Sequence, residues 1–196
     1  MSNLSNLTDE QLALRYVGGD NGAFDELLAR NKSILFTYIL FMTGNYEVAN
    51  DVFQDTFLKV IVRLQEGRYE EKGKFRHWLT SIAHNIIIDR FRNSGRISVT
   101  NIDETKGKEN RLGLVDSGRE NEIVNCQMED DIRRLVSMLP TSQKEVVYLR
   151  FYRDMSFREI AQVTNVSINT ALGRMRYAII NLRKMAKGRD MLSKLA

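Results

Sequence analysis

Three groups of side chains in this sequence have the types and spacing to bind a partner. The first lies in SFREIAQVTNVSINTALGRMRYAIINLRK, residues 156–184, where Asn169, Thr170, Arg174 and Arg176 fall on the outward side of a basic helical segment. Amide, hydroxyl and guanidinium groups so placed can meet base edges and phosphates. The second is KFRHWLTSIAHNIIIDRFR, residues 74–92, in which Lys74, Arg76, Arg90 and Arg92 surround Phe75 and Trp78. Cations that hold phosphates beside rings that stack on unpaired bases suit single-stranded DNA, although aromatic residues at helical spacing also build cores. The third is Asp51, Gln54, Asp55 and Leu58, at i, i+3, i+4 and i+7. Two acids, an amide and a leucine on one stripe suit docking on a basic protein surface, or else form a solvated face.

Covalent or metal chemistry has no comparable basis. Cys126 stands alone, so an intramolecular disulfide is excluded, and with His77 and His84 it makes no zinc cluster. There is no phosphate-binding glycine loop. Asp51 and Asp55 could face a metal together, but two carboxylates on an exposed helix are commoner as solvated charge. The expectation is a binding protein with no enzymatic activity, no cofactor and no metal.

The elements that must position these groups are helices. Ser156 can cap one, with Glu159 three residues on to reach back to the cap, and Phe157, Ile160, Ala161 and Val163 form its apolar stripe. Thr164 and Asn165 break the pattern, and Asn tolerates a left-handed backbone. Ser167 can cap the second helix, whose Ile168, Ala171, Met175, Ala178, Ile179 and Leu182 are predicted to face inward. Two helices across a sharp turn, the second basic, read as a helix-turn-helix.

Upstream, Thr8 with Gln11 starts a short helix that ends at Gly18-Gly19, and Asp20 or Asn21 starts a long one ending at Gly44-Asn45. A third helix is predicted from Tyr46 to Leu64, and a fourth over Phe75 to about Asn93 with Phe75, Trp78, Leu79, Ile82, Ala83, Ile86 and Phe91 buried. Further helices are predicted over 129–138 and from Pro140-Thr141-Ser142 onward. With one proline and almost no β-branched alternation, the fold class is all-α.

Charge distribution adds the organisation. Residues 1–58 hold eight acids against three bases, whereas Lys72 to Arg96 reverses the balance, which points to one surface for a basic partner and another for nucleic acid. Residues 96–127 carry several glycines and few large apolar residues, and nine acids against four bases lie between Asp103 and Asp131. This reads as a flexible acidic linker between a domain over 1–95 and a smaller one over 128–196. No apolar run approaches ~20 residues and the N-terminus lacks a secretion-signal core, so a cytoplasmic protein without membrane insertion is expected.

In order, DVFQDTFLKV (51–60), FRHWLTSIAHNIIIDRFR (75–92) and LPTSQKEVVYLRFYRDMSFREIAQVTNVSINTALGRMRYAIINLRK (139–184) resemble the three signature blocks of the extracytoplasmic-function, or group IV, sigma factors. The resemblance implies a promoter-specificity subunit whose partners are core RNA polymerase, promoter DNA and an anti-sigma factor. It assigns Asp51, Gln54, Asp55 and Leu58 to the polymerase clamp helices. It assigns Lys74, Arg76, His84, Asn85, Arg90 and Arg92 to the minus-ten element, with Asn85 in the pocket for a flipped base. Ser167, Asn169, Thr170, Gly173, Arg174, Arg176 and Tyr177 are implied at the minus-thirty-five element. This chain differs from the common family pattern at Asn169, Leu172, Gly173 and Tyr177, which is where its own promoter preference is expected. A regulator that binds operator DNA without joining polymerase shares the helix-turn-helix, but leaves the 51–60 and 75–92 blocks unused.

Overall fold

A computed structural model describes residues 4–69, 74–95 and 131–187, and the linker expected over 96–127 lies outside them. Most of the α-helices below combine a side-chain cap with an apolar stripe, and no strand occurs among the described residues. The chain divides into two compact units, Met1–Ser94 and Gly95–Ala196.

In the first unit a 3-10 turn, Leu4–Asn6, precedes α1 (Asp9–Val17). The Thr8 hydroxyl accepts from the Gln11 N–H at 3.2 Å while the Gln11 amide oxygen accepts from the Thr8 N–H at 2.9 Å, a reciprocal cap. Gly19, at φ 97°, reverses the chain into α2 (Asn21–Thr43), which Asp20 caps. Gly44, at φ 67°, ends α2, and the Asn45 side chain accepts from the Val48 N–H at 3.0 Å to open α3 (Tyr46–Gln65). The fourth helix, α4, is Phe75–Asn93.

These helices pack around Leu12, Leu27, Tyr38, Ile39, Val52, Val60, Leu64, Phe75 and Ile82, all essentially inaccessible to water. The α4 helix meets α3, α2 and α1, so it is buried on more than one side. Thr80, His84 and Ile87 are consequently buried along with the predicted Phe75, Leu79, Ile82, Ala83 and Ile86, whereas Trp78 and Phe91 are only half-buried. Buried Thr56 and Thr80 satisfy their hydroxyls on the carbonyls one turn back, at 2.6 and 2.7 Å.

The second unit is helical over 131–137 (α5), then Pro140 precedes α6 (Thr141–Phe151), α7 (Phe157–Val163) and α8 (Ile168–Lys187). Its core holds Leu135, Val136, Leu139, Val146, Leu149, Met155, Ile160, Val163, Ala171, Met175 and Ala178. The turn between α7 and α8 places Asn165 at φ 53°, the left-handed conformation that the sequence predicts there. Ile168 and Ile179, predicted to face inward, are exposed instead. Both α6 and α7 pack on α8, whose buried stripe is Ala171, Met175 and Ala178. The two isoleucines lie just beyond its edge.

Candidate nucleic-acid and protein-docking interfaces

The outer side of α8 is set by its inner one. Ala171, Met175 and Ala178 are buried at i, i+4 and i+7, which turns Asn169, Gly173 and Arg176, at the same spacing, outward. Asn169, Arg176 and Tyr177 are exposed, Tyr177 at 58%. Gly173 and Arg174 are half-buried, and a Cβ placed on Gly173 would meet nothing within 4 Å. The helix holds no acid over its length, and Arg183, Lys184 and Lys187 continue its charge. The charge that this helix presents is therefore all positive.

One side-chain contact ties this helix to α6, and others join α6 to the start of α7. The Asn181 amide donates to Gln143 Oε1 at 2.8 Å, tying α8 to α6, and the Arg150 guanidinium both donates to the Met155 carbonyl at 3.0 Å and lies 5.5 Å from the Phe157 ring centroid. At the start of α8 the Thr170 N–H donates to Ser167 Oγ at 3.0 Å, and the two hydroxyls lie 2.8 Å apart. Ser167 and Thr170 are thus exposed but engaged with each other in the free chain, as the helix cap.

On α3, Asp51, Gln54, Asp55 and Leu58 are all exposed, Leu58 at 62%. The core takes Ala49, Val52, Thr56, Phe57, Val60 and Leu64 from the other side, so the four share a stripe outside the core. Asp51 does have a neighbour: Arg90 Nη2 donates to its carboxylate at 3.2 Å. The acid predicted for one partner and the base predicted for another meet on adjoining helices.

The α4 residues divide by position. Asn85, Lys74 and Arg92 are exposed, with Arg92 paired to Asp89 one turn back on the helix. His84, placed by the resemblance in the minus-ten set, is only 7% exposed, because a step of one residue around α4 carries it from the open side to the packed one. It belongs to the packed side of the helix. Phe75 is buried in a ring cluster with Tyr69 and Trp78, centroids 4.8–5.6 Å apart, and so belongs to the core. Arg76 is drawn toward α1, its Nε 3.1 Å from Asp9 Oδ2.

That last contact belongs to a junction with no counterpart in the sequence reading. Buried Asp9 also accepts from the Asn31 amide at 3.2 Å and lies 3.7 Å from Arg30, which donates to the Leu7 and Leu4 carbonyls at 2.6 and 3.0 Å. Lys74 offers no side-chain cap to α4, and Glu10 supplies the acceptor instead, taking the Phe75 N–H at 3.1 Å. Asp9, Glu10, Arg30, Lys74, Arg76 and His77 share a groove of about 390 Å³ with Thr8 and Phe75. Nothing local marks Asp9 or Asn31 for this, since acids in a first turn are common for dipole reasons alone.

Comparisons with known proteins bear on the family and the fold. The family Sigma-70 region 2 matches residues 24–97, and Sigma-70, region 4 matches residues 129–172. The chain is 25% identical to the ECF RNA polymerase sigma factor SigW of Bacillus subtilis, over 86% of this chain and 91% of SigW. It is 30% identical to BldN, an ECF RNA polymerase sigma factor of Streptomyces coelicolor, over 78% of this chain and 56% of BldN. In fold it is similar to CnrH, solved with the cytosolic domain of CnrY, at TM-score 0.63 and 24% identity over 92% of this chain and 97% of that one. It is also similar in fold to RpoE of Bartonella quintana, solved with the anti-sigma factor NepR, at TM-score 0.60 and 19% identity over 84% and 96%. Among the described residues no helix is long and apolar enough to cross a membrane, and no group of His, Cys, Asp or Glu could hold a metal. Two sigma regions in order, each with its own packed helical unit, place the chain in the extracytoplasmic-function group of the sigma-70 family, as an RNA polymerase sigma factor.

Proposed function

We propose that residues 1–95 dock on core polymerase and open the minus-ten element, that residues 128–196 read the minus-thirty-five element as duplex, and that residues 96–127 join them. The observation that carries this reading is the α3 stripe of Asp51, Gln54, Asp55 and Leu58, which stays exposed outside the core. An operator-binding regulator has a use for α7 and α8 and none for that stripe. On this reading Asp51, Gln54 and Asp55 meet basic and amide groups on polymerase while Leu58 contributes apolar contact. Lys74, Arg76, Arg90 and Arg92 hold phosphates of the unpaired strand, and exposed Asn85 accepts hydrogen bonds from, or donates them to, a flipped base. Asn169, Thr170, Gly173, Arg174, Arg176 and Tyr177 lie along the major groove, with Ser167 fixing the helix start.

The mechanism is one of linked weak binding, with no covalent step, cofactor or metal. Unstacking a base costs a few kcal/mol, and a handful of phosphate contacts gives salt-sensitive affinity. Neither unit alone holds a promoter well. Polymerase, by holding both, converts the second contact into an intramolecular one and so raises its effective concentration. The setting is the cytoplasm, and a protein inhibitor in the manner of the anti-sigma factor NepR with RpoE is the fitting regulator. The reading is tested by promoter opening, followed with a fluorescent base in the minus-ten element: holoenzyme with Asn85→Ala should bind the duplex normally and open it more slowly. Unaltered opening would remove Asn85 from the pocket.

A further inference from the structure

The outward face of α8 contains a residue that its polar neighbours do not explain. Leu172 is 44% exposed, three residues after Asn169 and four before Arg176, so it stands between the two side chains best placed to meet bases. Next to it Gly173 presents bare backbone with open space where a Cβ would stand. A glycine inside a helix costs about 1 kcal/mol relative to alanine, and no packing among the described residues requires this one. A leucine that folding leaves nearly half exposed, beside a gap that lets an outside group come close to the helix, forms a small apolar seat beside a polar row.

In the major groove only one base offers an apolar group at its edge, the C5-methyl of thymine. We propose that Leu172, with the gap at Gly173, is a specificity-determining contact that reads a thymine methyl in the upstream promoter element. The inference rests on the reading that α8 enters the major groove there. Asn169 and Arg176 contact the bases or phosphates on either side, and the methyl fills the space that a longer side chain at position 173 would occupy. Ile168 and Ile179 are exposed as well, but neither lies between these polar groups, and neither borders the gap.

The test uses holoenzyme reconstituted from this chain and core polymerase, on a promoter whose start site has been mapped. Each thymine of the upstream element, on either strand, is replaced singly by deoxyuridine, which removes the methyl and nothing else. At one position the wild-type holoenzyme should lose about fourfold in promoter occupancy, the value of one buried methyl-sized group. Leu172→Ala should bind thymine and uracil templates alike at that position, while Leu172→Met should keep the preference. A flat uracil scan, an upstream element without thymine, or an undiminished preference in Leu172→Ala would overturn the proposal. Arg176→Ala and Asn169→Ala separate the two levels of inference. If they weaken promoter use while the scan is flat, only the thymine contact fails; if they too have no effect, the placement of α8 in the groove fails with it.

Discussion

Arg90 Nη2 on α4 donates to Asp51 Oδ2 on α3 at 3.2 Å, and its Nη1 reaches the Val48 carbonyl at 3.4 Å. A base assigned to DNA and an acid assigned to polymerase thus neutralise each other in the free chain. Both side chains are well exposed, so the pair contributes at most about 1 kcal/mol to stability. Reversing charge with Asp51→Lys and Asp55→Lys should leave the melting temperature within a few degrees of wild type and weaken core polymerase binding by about tenfold. Titration of labelled chain with core enzyme checks this, and unchanged affinity would take the α3 stripe out of the interface.

Asp9 should matter far more to folding than its place in the first turn of a short helix suggests. Its carboxylate serves Asn31 and Arg76 directly, with Arg30 close by, and Asn31 is itself buried. Asp9→Ala leaves those donors without their acceptor, for a loss of about 1–3 kcal/mol in the first unit. Denaturant unfolding measures it. A loss below about 0.5 kcal/mol would mean that water replaces the carboxylate there.

Gly173→Ala separates stability from recognition. Because the added methyl meets nothing in the protein, the variant should be more stable by about 0.5–1 kcal/mol. Promoter-directed transcription should nonetheless fall, since the methyl intrudes on the space offered to DNA. A more stable chain with full activity would show that no base approaches this turn.

Lys144 gives the second unit a pH dependence of known sign. Burial lowers its ammonium pKa to about 8, from 10.5 when the chain is unfolded. Below pH 8 both states hold the proton and the folded state bears the whole cost of burying the charge. Between about 8 and 10.5 the unfolded chain binds more protons than the folded one, so stability due to this group rises with pH. Lys144→Met should therefore be stabilising at pH 7, with an advantage that shrinks as pH rises toward 10.5. Taking the difference from wild type cancels the buried Tyr148 hydroxyl, whose pKa burial raises. An advantage independent of pH would contradict the charge as its cause.

Features that depend on near neighbours in the chain were readable from the sequence. Thr8 with Gln11, Ser156 with Glu159, and left-handed Asn165 each act over a few residues, and each is found in place. The exposed α3 stripe is also legible, because helical spacing alone separates it from the core. What periodicity cannot give is the width and number of the neighbours. Ile168 and Ile179 have core-like types at core-like spacing, yet the buried stripe of α8 is Ala171, Met175 and Ala178 and leaves them exposed. His84 is buried because α4 meets three helices, a fact about tertiary packing that its own segment does not carry. The Asp9 junction joins residues 22 and 67 positions apart in the chain, so no local pattern could announce it.

The central claim is that two weak readers become a promoter-specific factor only when polymerase holds them. The most direct measurement is in vitro transcription with core enzyme over a genome-wide pool of promoters, followed by mapping of start sites. Addition of this chain should produce a defined set of starts that core alone ignores, each with two common elements upstream, and the Asp51→Lys, Asp55→Lys chain should lose them. A complete pool that yields no chain-dependent start, or tight sequence-specific duplex binding by the free chain that core enzyme does not alter, would contradict it.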